Sequence, residues 1–194
     1  MNAWAPVISE ILQEGPWFQD QDEHPSDRPD AEVARAFRAS MRRLAAGTCA
    51  VMVCDGERID GLTATSVTSL SMEPPSLLVS VRATSRVMNL LRREKRFTVH
   101  ILGDDQSHEA NAFAGRLGSD ARASLVGWDH GPGERQRLSG ATCHIDCKAA
   151  RFIPVFSHML IVGVVISVDI GENDRPLVYF GGAFHSLTRS DMGQ

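Results

Sequence analysis

The chain has 194 residues, of which 43% are hydrophobic, enough for one domain with a real core and a tail. Its 20 Lys and Arg stand against 24 Asp and Glu, a net charge of −4, so neither a basic nucleic-acid face nor a polybasic membrane anchor is expected. No apolar run reaches the ~18 residues of a transmembrane helix, and Met1 to Pro16 carries Glu10 and Glu14 without a basic n-region. The expected compartment is the cytoplasm. Four cysteines fit it, since a chain with its own core needs no disulfide frame. Cys143-His144-x-x-Cys147 has a zinc-like spacing, but Cys143, Ile145 and Cys147 alternate in a strand-like stretch. The two cysteines then share one face and His144 takes the other. With no second ligand pair in the sequence, no metal is expected.

Residues 1 to 29 read as an N-terminal extension, flexible or docked on the domain or a partner subunit. Gln19 to Pro29 is polar and proline-broken, a composition that cannot offset the entropy of ordering. The domain is expected over 30–190. Asp30 is a plausible N-cap, followed by Ala34, Phe37, Met41 and Leu44 at 3-4-3 spacing, an amphipathic helix that Gly47 would end. Thr48 to Cys54 and Ile59 to Ala64 read as strands around an Asp55-Gly56 turn. Val67 to Ser71 alternates, Glu73-Pro74-Pro75 breaks the chain, and Ser76 to Val81 is a buried strand. A short helix from Ser85 to Arg93, a strand from Arg96 to Leu102 and a helix from Gln106 to Gly115 follow. Residues 116 to 138 read as a long loop, and loops of that length are usually functional. Strands then run over Ala141 to Phe152, His158 to Ile170, Leu177 to Phe180 and Phe184 to Leu187. Many short antiparallel steps with helices only as inserts predict a mainly β chain closed into a barrel. Helices do not alternate with strands, and no G-x-G-x-x-G follows a first strand, so a Rossmann domain is not expected.

The segment Asp55 to Ser71 is rich in Ser, Thr and Gly. Thr63-Ala64-Thr65-Ser66 can offer hydroxyls and backbone N–H groups to a phosphate, with Gly61 allowing close approach. The same residues also suit an ordinary β-hairpin, because Thr favours strands. Ser80 and Ser85-Arg86 form a second hydroxyl set. Arg86 falls in the first turn of a helix behind a Thr84/Ser85 cap, where helix N-termini favour anions and Arg adds a forked cation. A capped helix with a solvated Arg is the other reading.

Taken in order, these stretches resemble one family. They are Phe37-Arg-x-x-Met41, Leu44-Ala-Ala-Gly-Thr48, Asp55-Gly56, Gly61-Leu-Thr-Ala-Thr-Ser66, Glu73-Pro-Pro75, Leu77-Leu-Val-Ser80, Ser85-Arg86, Phe97-Thr-Val-x-Ile101, Ala110-x-x-Phe-Ala-Gly115, Pro176-Leu-Val-Tyr179 and Gly182-Ala-Phe-His185-Ser-Leu187. The family is that of the short-chain flavin reductases, the reductase components of two-component flavin-dependent monooxygenases. The resemblance implies a split antiparallel β-barrel with a few short helices, the FMN-binding split barrel, working as a homodimer. It implies FMN or FAD reduced by NADH or NADPH, with reduced flavin passed to a separate monooxygenase.

Matched by position, Thr63, Ala64, Thr65 and Ser66 stand where the family has a flavin-lining Thr-Ala-Asn-Ser, with Thr65 in place of the Asn. Ser80, Val81, Ser85 and Arg86 match positions that hold the ribityl and phosphate groups, and Phe113 matches a residue near the flavin. The family's Gly-Asp-His, associated with nicotinamide binding, stands here as Phe156-Ser157-His158. His185 matches a late His that reaches the isoalloxazine or nicotinamide and is the one catalytic candidate. The altered Phe156-Ser157 leaves open a non-catalytic flavin carrier or sensor, and a split-barrel oxidase acting directly on a small substrate is a further alternative.

Overall fold

The computed structural model describes residues 30–55, 59–117, 128–131 and 135–188. The described residues divide into two units, one ending at Leu44 and one beginning at Ala45; the expected extension, residues 1 to 29, lies outside the described residues. In the first, helix α1 spans Ala31–Met41, and the Asp30 carboxylate caps it by accepting the Glu32 N–H at 3.0 Å. No residue of α1 is buried. The helix stops at Arg42, short of the expected Gly47. Ala46–Gly47 instead forms β1, which pairs with a late strand through Ala46 and Tyr179 and through Gly47 and Val178. A long-range ladder decides that end, not the local helix pattern.

The second unit is β-rich. Its elements run β2 (Cys49–Cys54), β3 (Ile59–Ala64), β4 (Val67–Met72), β5 (Pro75–Arg82), α2 (Val87–Glu94), β6 (Arg96–Ile101), α3 (Ser107–Phe113), β7 (Trp128–Gly131), β8 (Arg135–Leu138), β9 (Cys143–Val155), β10 (His158–Ile170), β11 (Leu177–Phe180) and β12 (Ala183–Ser186). Seven strands form one antiparallel sheet in the order β3-β2-β6-β9-β10-β5-β4. Its two outer strands, β3 and β4, are consecutive in the chain. The Thr65-Ser66 corner between them brings β3 beside β5 and curls the sheet into a split barrel. β1, β11 and β12 make a second small sheet, and β7 and β8 a third.

The central strands of the sheet, β2 above all, are buried on both sides, so they are more continuously apolar than simple alternation predicts. Inside the barrel, Val51, Val53, Val79, Val81, Phe97, Val99 and Ile161 pack against Val87 and Leu91 of α2. On the other side, Ala50, Met52 and Leu102 pack against Ala110 and Phe113 of α3, Leu138 of β8 and Leu177 of β11. This explains the unbroken Cys49-Ala-Val-Met-Val53 run.

The outer layer also carries buried polar groups. Arg137 donates to Asp169 and, at 3.1 Å, to Asp146. Asp146 further accepts the hydroxyls of Thr98 and Ser167, each at 2.7 Å. The rings of His100 and His144 meet Nδ1 to Nδ1 at 2.8 Å, so one of them donates to the other. These ties account for β8 inside the stretch expected to be loop. Leu138 is buried in the apolar cluster and Arg137 anchors to β9 and β10, so tertiary partners create a strand that its own sequence does not announce.

Candidate functional site

A cavity of about 670 Å³ opens between β3, β5, the start of α2, the end of α3 and the first residue of β10. β3 supplies Gly61, Thr63 and Ala64, and the corner after it supplies Thr65 and Ser66. β5 adds Ser80 and Val81, the following turn adds Ser85 and Arg86, α3 brings Phe113, and β10 brings His158. Every residue singled out from the sequence lines this one cavity except His185. That residue lies on β12, exposed, with its Nε2 3.1 Å from the Phe180 carbonyl oxygen.

The β3 wall is built by packing. The Thr63 hydroxyl donates to the Ala110 carbonyl of α3 at 2.6 Å. A Cβ on Gly61 would stand 2.8 Å from the Val51 carbonyl oxygen and 3.1 Å from Phe113 Cδ1. Glycine is therefore needed first because the Val51 carbonyl of β2 leaves no room for a Cβ, and second so that Phe113 of α3 can seat against the strand, where the sequence suggested room for a ligand. Ser66 is likewise committed: its hydroxyl donates to the Ser80 carbonyl at 2.8 Å, tying the corner to β5.

The start of α2 differs from the expected capped helix. Arg86 itself is the N-cap, with helical backbone angles and no side-chain cap bond. Backbone bonds do the work instead: Ser85 N–H to Arg82 carbonyl at 2.9 Å and Met88 N–H to Ser85 carbonyl at 3.0 Å. The hydroxyls of Thr84 and Ser85 are left uncommitted to the helix. The Arg86 side chain is 64% exposed, and its Nη2 lies 3.8 Å from Asp60 Oδ1. That oxygen also accepts the Gly61 N–H at 2.8 Å.

At the rim, Arg82 and His158 are direct partners across β5 and β10. The His158 ring meets the Ser157 hydroxyl at 3.0 Å. The turn before it is held with Phe156 at φ 50°, a left-handed conformation that glycine takes freely and a bulky side chain does not. The family's Gly at this position fits that geometry, and Phe156 reproduces it with its side chain 76% exposed.

Asp60, Leu62, Arg82, Thr84, Val87 and Ala114 also line the cavity, and sequence reasoning did not select them. Arg82 was reachable, since it follows Ser80 at strand period on β5. Nothing local marks Asp60, whose role comes from facing Arg86 across the fold.

The arrangement combines an apolar wall, Leu62, Val81, Phe113 and Ala114, with hydroxyls and two guanidinium groups around a single carboxylate. Its volume falls within the roughly 300–1,000 Å³ of small-molecule sites. A flat aromatic ring carrying a polar, phosphorylated chain fits both halves: apolar surface for the ring, and Ser, Thr and Arg donors for the chain.

Known proteins agree with the geometry. Residues 41–188 match the flavin reductase like domain. The reductase component of an FADH(2)-dependent resorcinol hydroxylase from Rhizobium sp. is 34% identical over 149 residues, covering 76% of this chain and 83% of that protein. The reductase component of a 4-hydroxyphenylacetate 3-monooxygenase from Thermus thermophilus is 32% identical, covering 80% of this chain and 97% of that protein. Among solved structures, an NADH:FAD oxidoreductase from Streptomyces globisporus C-1027, in complex with NAD and FAD fragments, superposes with a TM-score of 0.74. It is 25% identical, over 84% of this chain and 98% of that one. With its split barrel, its cavity and this match over most of its length, the chain belongs to the flavin reductase like domain family.

Proposed function

We propose that the chain is an NAD(P)H:flavin oxidoreductase that reduces FMN or FAD and supplies reduced flavin to a separate monooxygenase. The observation that carries this reading is the single cavity in which an apolar wall faces Arg86 and uncommitted Thr and Ser hydroxyls. A bound flavin supplies the redox chemistry itself, taking a hydride from the nicotinamide, so the protein need only bind, orient and shield. Val81, Leu62 and Phe113 would hold the ring and exclude water from one side of it. Thr65, Thr84, Ser85 and Arg86 would hold the polar chain and its phosphate, with Ser66 and Ser80 bracing the corner. His158 and Arg82, on the rim, would meet the nicotinamide nucleotide as it reaches the ring from the open side. That His158 lines the cavity despite the altered Phe156-Ser157 favours the reductase over a carrier that does not turn over.

We further propose a homodimer in the cytoplasm. Leu70 and Met72 on β4 and Ile166, Val168 and Ile170 on β10 are exposed apolar side chains, as a face covered by a second copy would be. Among the described residues no helix is long and apolar enough to cross a membrane. No disulfide joins Cys49, Cys54, Cys143 and Cys147, as expected in a reducing compartment. The deciding experiment follows NADH and NADPH absorbance with purified protein, with and without added FMN or FAD, in air. Saturable oxidation that depends on added flavin is expected. Tight flavin binding without any nicotinamide oxidation would move the assignment to the carrier.

A further inference from the structure

We infer that Asp60 sets how loosely the flavin phosphate is held, by competing with that phosphate for Arg86. The inference rests on reading the cavity as a flavin site. Asp60 lies on β3 in the cavity lining, only 7% exposed. Its Oδ1 is fixed by the Gly61 N–H at 2.8 Å, so the carboxylate cannot swing away. Arg86 is the mobile member. Its side chain is 64% exposed, and at 3.8 Å the two groups attract without forming a hydrogen bond. Arg86 thus stands over the cavity, held by charge alone and free to turn.

An anion that takes Arg86 meets two opposing effects. It must draw the guanidinium from Asp60, and it must sit within a few ångströms of that carboxylate, whose charge repels it. A pair whose cation is this exposed shifts an equilibrium by only about two- to fivefold, so binding is weakened and not abolished. The arrangement suits a protein whose flavin must leave once reduced. A site built for permanent retention would give Arg86 no competing anion. Arg82, the other guanidinium of the lining, is on the rim and directly opposite His158, so it supports the general attraction for anions without relieving the competition at Arg86.

The test is Asp60→Asn, which keeps an oxygen for the Gly61 N–H and nearly the same shape while removing the charge. Equilibrium binding is read from flavin fluorescence with two probes, FMN and riboflavin, the second lacking the phosphate. The expected result is about two- to fivefold tighter FMN binding, unchanged riboflavin binding, and a steeper weakening of FMN binding with added salt. Stopped-flow dilution of the FMN complex is expected to show slower release. In Arg86→Ala, much of the preference for FMN over riboflavin should be lost, and adding Asp60→Asn should then tighten FMN binding less than it does with Arg86 in place, because only the direct repulsion remains to be removed. Weaker FMN binding in Asp60→Asn, or a parallel shift of both probes, would overturn the inference while leaving the flavin site intact. Absence of binding of either probe to the unaltered protein would overturn both.

Discussion

Two sets of charges in this barrel are built from the same residue types and behave in opposite ways. Arg137 and Asp146 are 3% and 1% exposed in their side chains, 3.1 Å apart, with Thr98 and Ser167 filling further lone pairs of the carboxylate. Arg86 and Asp60 are 64% and 9% exposed and 3.8 Å apart. In the first set nearly every partner is supplied by the protein, so the charges hold β8, β9 and β10 together. In the second the cation has spare capacity and faces a cavity. The lesson is that a functional Arg is marked less by its neighbours than by how incompletely they satisfy it.

The comparison can be broken most sharply from its buried side. Arg137→Met removes the cation and leaves Asp146 charged in a dry environment, which costs about 3–5 kcal/mol. The urea midpoint should fall accordingly, while the flavin affinity of the folded fraction stays as it was. A loss under about 1 kcal/mol would show that the buried set is not what holds the outer layer.

Acid probes the same region more gently. Burial first, with help from neighbouring His144 and Arg137, pushes the pKa of His100 down from 6.5 to about 3. The unfolded chain then takes up a proton near pH 6.5 while the folded chain refuses it until near pH 3. Stability from this group is complete above 6.5 and is lost as pH falls through that window, by roughly 2 kcal/mol at pH 5. Urea melts between pH 7 and pH 5 should show the slope, and His100→Asn should flatten it. The smallest effect lies on the cavity side. Arg82→Gln should change stability by less than about 0.5 kcal/mol yet weaken FMN binding in low salt. If it destabilised the fold as much as Arg137→Met, the cavity-side guanidinium groups would be structural as well, and the contrast between buried and cavity-facing charges would collapse.

Much of this could be read before folding, and the failures share a cause. Ile59 to Ala64, His158 to Ile170 and Leu177 to Phe180 begin and end as the turn residues and periodicity indicate, because their limits are local. β1 and β8 are set by distant partners: Val178 for the first, Asp146 with Asp169 for the second. The cavity follows the same division. Thr63 to Ser66, Ser80, Ser85 and Arg86 belong to motifs and were identifiable. Asp60 acquires meaning only when β3 is laid beside the start of α2. His185 was selected by a motif, yet β12 carries it outside this lining.

Phe156 shows how far shape and sequence can part company. β9 and β10 are each 13 residues long and pair from His158 and Val155 onward, so the hairpin bends where the ladder ends, whatever residue stands there. A left-handed Phe costs about 1 kcal/mol over Gly, a sum the long ladder absorbs. The tip can therefore vary over evolutionary time while His158 keeps its place at the rim. A substitution at this tip therefore alters the rim beside His158 while the β3 and β5 walls of the cavity stay as they are.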